Sequence, residues 1–209
     1  MRPVRLMRLI DVAIQSLTGK LKEMYPLSEK AYTLAIEAFR TQRDMTSEVY
    51  RLAELLKLHH LDVSSLMTEI IARFQPVASD LRYIRACGEV SYGFYRYGRY
   101  AFDITAVIGV FGSVPGCDWG LIDKAGNKVR EMMSLGMEAF EKRDIELAKK
   151  VIEMDDEVDE LYRSYLRQII YSEGDRRCDI ARLLILRYLE RIGDHATAIA
   201  ESVLYVVQG

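Results

Sequence analysis

Two pairs of acidic residues carry most of the chemistry that can be read from this chain. In the run RYLERIGDHATAIAE, Arg187 to Glu201, the acids Glu190 and Asp194 stand four residues apart, and Asp155 and Asp159 repeat that spacing upstream. On a helix such positions share one face, where like charges destabilise by roughly 0.2 to 0.5 kcal/mol per pair. A bound cation would offset that cost. Four oxygen-bearing side chains from two adjacent antiparallel helices suit a hard or borderline ion such as Mg, Mn or Fe. Gly193, with no side chain, allows a neighbouring helix or ligand to come close between the second pair. The same residues admit a plainer reading. Arg187 lies three before Glu190 and Arg191 three before Asp194, so both acids can form surface ion pairs worth about 0 to 1 kcal/mol.

Other groups point away from chemistry. His195 follows Asp194 and lies about 100 degrees around the helix from it, a placement for packing or for support of the site. His59 and His60 are adjacent, so their side chains diverge, and a solvated or core pair is expected. Tyr92, Tyr95, Tyr97 and Tyr100 form a dense aromatic group, which reads as core or subunit interface. Cys87, Cys117 and Cys178 are odd in number, far apart and without CxxC spacing. Neither a disulfide framework nor a zinc knuckle is expected from them, and a reducing cytoplasm suits them.

These acids need helices to hold them. Leu27 to Gln75 contains neither proline nor glycine, which favours long helices over strands and turns. Leu186, Leu189, Gly193, Ala196, Ala200, Val203 and Val207 recur at three and four residues, the stripe of a packed helix. The segment GVFGSVPGCDWG, Gly109 to Gly120, reads as a linker. On either side of it the same order recurs: Ala38-Phe39 before Arg43-Asp44 echoes Ala139-Phe140 before Arg143-Asp144, and Phe94 to Ala101 echoes Leu189 to Ala196. This is an internal repeat. Helices are expected over 4–41, 45–73 and 77–108 and again over 117–141, 145–171 and 177–206, dividing the chain into repeats 1–112 and 113–209. Pro76 suits a first helical turn, and Gly174-Asp175 breaks the fifth helix from the sixth.

The 209 residues, half of them apolar, suffice for a sizeable core, and a net charge of -2 with mixed signs argues against nucleic acid as a partner. The basic, apolar start MRPVRLMRLIDVAIQSL is interrupted by Asp11 and Gln15, with no cleavage-like site after it. The longest apolar run, Ile104 to Phe111, is shorter than the roughly 20 residues a bilayer takes, so a soluble chain is expected.

RYLERIGDHATAIAE closely resembles the last-helix signature of the PhoU family, regulators of phosphate uptake. DDEVD at Asp155 to Asp159 looks like the family's acidic motif, and QPVASDLR at Gln75 to Arg82 like the opening of the third helix of its first repeat. The resemblance implies an all-α fold of two tandem three-helix bundles related by a pseudo-twofold, usually a cytoplasmic homodimer. It implies a regulator rather than an enzyme, restraining phosphate import through contacts with a Pst-type transporter ATPase and, where present, a sensor histidine kinase. It further implies a multinuclear cluster of Fe, Mn, Mg or Zn, held here by Asp155, Asp159, Glu190 and Asp194.

The first repeat departs from that pattern. Tyr95 and Arg99 stand where Glu and Asp are expected, and only Glu54 is acidic near the other motif, with Leu58 or His59 at the partner position. The first cluster is therefore expected to be absent, with Arg99 pairing Glu54 in its place. A di-iron carboxylate enzyme needs Glu-x-x-His motifs, and Leu56, Lys57 and Ile192 precede the three histidines instead. No GxxxxGK[ST] or GxGxxG occurs. A helical adaptor without metal, serving another ion transporter, is the remaining alternative.

Overall fold

The computed structural model describes residues 8–112 and 116–209. Six helices make up the fold: α1 Leu9–Thr41, α2 Thr46–Phe74, α3 Ala78–Phe111, α4 Gly120–Lys142, α5 Ile145–Ile169 and α6 Arg176–Gln208. All six expected helices are present, and no strand occurs among the described residues. The expected start of the first helix at residue 4, and the stretch 113–115 that adjoins the repeat boundary, lie outside the described residues. Pro76 sits just before the α3 N-cap Val77, and Pro26 lies exposed inside α1.

Helices α1, α2 and α3 pack on one another, as do α4, α5 and α6, and the two bundles join mainly along α3 and α6. Apolar faces at helical spacing meet in one continuous core. The repeat seen in the sequence has a local structural cause. The N–H of Gln42, in the left-handed region, donates to the Ala38 carbonyl to close α1, and Arg143 closes α4 on Ala139 in the same way. Asp44, just ahead of the α2 N-cap Met45, then accepts from the N–H of Thr46, and Asp144, the N-cap of α5, accepts from that of Glu146. Asp175 caps α6 through the N–H of Arg177.

The cysteines require a correction. Cys117, just before α4, and Cys178, in the first turn of α6, are joined by a disulfide with Cα atoms 5.7 Å apart. Their separation of 61 residues hides the pairing from any local motif. Only tertiary folding brings the linker onto the start of α6. Cys87 is free and buried. No helix among the described residues is long and apolar enough to cross a membrane.

Candidate metal centre

Helices α5 and α6 lie side by side and place their acids toward a shared seam. Met154 and Val158 on α5, with Leu189, Ile192 and Gly193 on α6, are buried. That leaves Asp155 and Asp159 half-buried at the edge of the packed face, and the same register holds Glu190 and Asp194 opposite. Gly193 permits the close approach: a Cβ there would stand 3.3 Å from Asp155 Oδ1 and 3.6 Å from the Met132 methyl.

Of the four expected ligands, the structure brings three into one group. Asp159, Glu190 and Asp194 each offer a carboxylate oxygen, and these atoms all lie within 4.8 Å of one another. Asp155 stands next to the trio and outside that group. Its Oδ1 is buried without a hydrogen-bond partner, and so is Glu190 Oε2. Glu190 is only 8% exposed, which makes it a buried acid rather than a surface one.

The arginines noted in the sequence also take up positions, joined by one that sequence reading missed. Arg187 donates to Glu190 Oε1, Arg191 donates to Asp194 at 3.0 Å, and Arg163 donates to Asp159 at 2.7 Å. The Asp159-to-Arg163 spacing of four residues was the signal available for the third. Arg191 Nε remains 3.8 Å from Glu190 Oε2, too far for a hydrogen bond. Each member of the trio thus has its own guanidinium, yet one buried oxygen of Glu190 and one of Asp155 receive no hydrogen bond.

Burial, with charge from neighbouring acids added, raises three of the carboxyls. Burial, reinforced by Asp194, Asp159 and Asp156, pushes the Asp155 carboxyl up to about 6 against the nearby Thr197 hydroxyl. Burial likewise raises Glu190, with Asp194 adding to it and Arg187 and Arg191 opposing. Asp194 is raised by burial, partly offset by Arg191. An all-oxygen set of partly buried anionic groups fits a hard divalent cation, which would relieve all three shifts at once.

His195 takes no part in the trio. Its ring stacks on Tyr100 at 5.9 Å and meets Tyr92 edge-on at 5.5 Å, and burial together with Arg96 and Arg191 drives it down to about 4. The packing role expected for it is the one it has. Tyr97 is core, fully buried, whereas Tyr92 and Tyr100 are partly exposed against α6 and Tyr95 is partly exposed against α2. His60 accepts or donates at Ser91 Oγ, 2.9 Å away, and stacks on Tyr95 at 5.9 Å.

At the matching place in the first bundle the expected Arg99–Glu54 pair does not form. Arg99 reaches Asp103, one turn along its own helix, at 3.0 Å, and Glu54 faces Lys57 at 3.4 Å. A partner four residues away on the same helix needs no particular packing of α2, so it wins. A Cβ on Gly98 would meet Leu56 and the Ala53 Cα, where one on Gly193 meets Asp155. Leu56 and Ala53, not Glu54, therefore face Gly98 as Asp155 faces Gly193.

Comparison with known proteins agrees with this architecture. The PhoU domain model matches residues 21–108 and again 122–203. Over 204 residues the chain is 28% identical to the phosphate-specific transport system accessory protein PhoU homolog of Archaeoglobus fulgidus, covering 97% of each. It is 30% identical over 212 residues to the homolog of Pseudomonas aeruginosa, covering 95% of this chain and 85% of that one. The crystal structure of PhoU from Pseudomonas aeruginosa superposes with a TM-score of 0.88 at 28% identity, covering 95% of this chain and 99% of that one. The phosphate transport system regulatory protein PhoU from Streptococcus pneumoniae, at 19% identity and a TM-score of 0.75 over 94% and 96% of the two chains, shares the fold.

Proposed function

Because this chain belongs to the PhoU family, we propose that it is an accessory regulator of phosphate transport that restrains uptake through protein contacts and carries a metal site in its second bundle. The relatives named for a phosphate-specific transport system support the first half of that reading. The observation that carries the second half is the oxygen trio Asp159, Glu190 and Asp194, in which the buried Glu190 Oε2 receives no hydrogen bond. Asp155 supplies the fourth carboxylate, so that the group holds a multinuclear cluster of Fe, Mn, Mg or Zn; such ions supply positive charge and fixed geometry. What the chain itself contributes is the scaffold: Gly193 sets the spacing of α5 and α6, and the core beneath keeps both pairs of acids in register.

The protein acts in the cytoplasm as a homodimer, with a Pst-type transporter ATPase and a sensor histidine kinase as partners, and without catalysis. Deleting the gene should raise phosphate uptake and co-purification should recover the ATPase; unchanged uptake with no recovered partner would reject the regulatory reading. Elemental analysis tests the site independently, since wild type should retain metal and the Asp155→Ala, Glu190→Ala double variant should lose it. One observation favours a metal-free adaptor instead: Asp159, Glu190 and Asp194 each already hold an arginine. Equal metal content in wild type and double variant would establish that second reading.

A further inference from the structure

The disulfide joins two features that the regulatory reading leaves unused, the inter-repeat linker and the first turn of α6. We propose that Cys117 and Cys178 form a reversible redox latch on the second bundle, opened by thiols and closed by low-molecular-weight disulfides. The loop it closes runs from residue 117 to residue 178 and encloses α4 and α5 entirely. Two helices of the second bundle are thereby tied to the third, α6, which carries Glu190 and Asp194. The first bundle has no counterpart, because the remaining cysteine, Cys87, is alone and buried in α3 with its thiol pushed up to about 12 by that burial.

Three features make the pair a latch that recloses rather than a one-time staple. Polar contacts tie the end of α3 and the residue after Cys117 to α6 independently of the bond: Arg177 donates to the Phe111 carbonyl, and Arg182 Nε donates to the Asp118 carbonyl at 2.6 Å. Arg182 also lies over the Trp119 ring at 5.6 Å, and that ring meets Phe39 edge-on at 4.1 Å, so the residues that follow Cys117 stay docked when the sulfurs part. Cys178 occupies the first helical turn after the cap Asp175, where unpaired N–H groups and the helix dipole favour a thiolate. Both cysteines are nearly buried, 9% and 8% exposed, which slows exchange without closing it.

Closure with oxidised glutathione balances as two linked exchanges. The Cys178 thiolate attacks one glutathione sulfur, forming a mixed disulfide and releasing one glutathione thiolate. The Cys117 thiolate then attacks the Cys178 sulfur and releases the second. Two protein thiols become one disulfide while oxidised glutathione is reduced to two thiols, the two protons passing to the glutathione thiolates.

The test equilibrates the full chain in native buffer with graded ratios of oxidised to reduced glutathione, then counts thiols in denaturant and records thermal melts. Of three cysteines, one should react in the closed form and all three in the open form, with a reversible transition between them. Closing a loop of 61 residues should raise the midpoint by roughly 10 °C. The Cys117→Ser, Cys178→Ser double variant should melt with the open form at every ratio, and Cys87→Ser should follow wild type. A bond that survives millimolar reductant in the folded protein overturns the latch. So does a thiol count of three at every ratio, or a midpoint equal in both forms.

Discussion

The two bundles share one backbone plan and differ in what fills the seam between their second and third helices. In the second bundle Asp155, Asp159, Glu190 and Asp194 line it, and three of these acids are paired with arginines. In the first, Tyr95 stacks on His60, Arg99 pairs with Asp103, and Ala53 and Leu56 press against Gly98. The difference shows that the glycine is kept for two distinct reasons. Gly98 admits apolar atoms from α2, whereas Gly193 admits a carboxylate. One glycine faces apolar side chains, and the other faces an acid.

Metal content should separate the bundles most strongly. Changing groups around a bound metal costs about 10- to 100-fold in affinity, so removing a ligand by Glu190→Gln or Asp194→Asn should cost at least about 100-fold by isothermal titration. Tyr95→Phe and Arg99→Gln should leave affinity and stoichiometry unchanged. Metal lost equally from both sets of variants would break the comparison.

Substituting the paired glycines comes next. Gly98→Ala would set a Cβ 2.5 Å from the Leu56 Cδ1 and 3.3 Å from the Ala53 Cα, a clash with backbone as well as side chain. Overpacking of that kind costs about 1 to 3 kcal/mol. At Gly193 the nearest atom is 3.3 Å away on Asp155, so Gly193→Ala should cost less in urea denaturation while perturbing metal affinity.

The pH response of metal-free protein sharpens the same contrast. The Asp155 carboxyl, raised to about 6, holds its proton in the folded state where the unfolded chain has released it. Stability should therefore fall as pH rises from about 4 to 6, by on the order of 1 kcal/mol once solvent screening of a half-buried group is allowed for. Asp155→Asn should remove that slope in denaturant melts taken across the window. In the first bundle burial lowers His60, with Glu89 opposing, so its contribution has the reverse sense: stability is lost as pH falls below the ordinary histidine value near 6.5. His60→Gln should flatten that limb.

Least affected should be the partly exposed pair that Arg99 forms in the first bundle. Asp103→Asn removes the Arg99 contact at 3.0 Å, and partly exposed pairs are worth about 0 to 1 kcal/mol. A loss well beyond that range would mean that Arg99 does more than satisfy its own helix.

Much of this was legible along the chain. Turn residues and apolar spacing placed all six helices, since α5 and α6 differ from expectation only by a residue or two at their ends. The Ala-Phe and Arg-Asp echoes marked real repeated turns, because capping is local chemistry. The trio of acids and two of their arginines were visible for the same reason, being set by spacing on single helices. Arg99 misled because a cross-helix partner was assumed where Asp103 lay within reach on α3.

By itself, then, the sequence determined which side chains share a helix face, where helices begin and end, and that one plan occurs twice. All of these follow from the 3.6-residue period and from hydrogen bonds within a few residues. Only the tertiary structure decided that Asp155 stands outside the trio, that Leu56 and Ala53 face the matching glycine in the first bundle, and that Cys117 meets Cys178. Those outcomes depend on the relative axial register of packed helices, which is fixed by close packing of whole faces and leaves no mark at any single spacing.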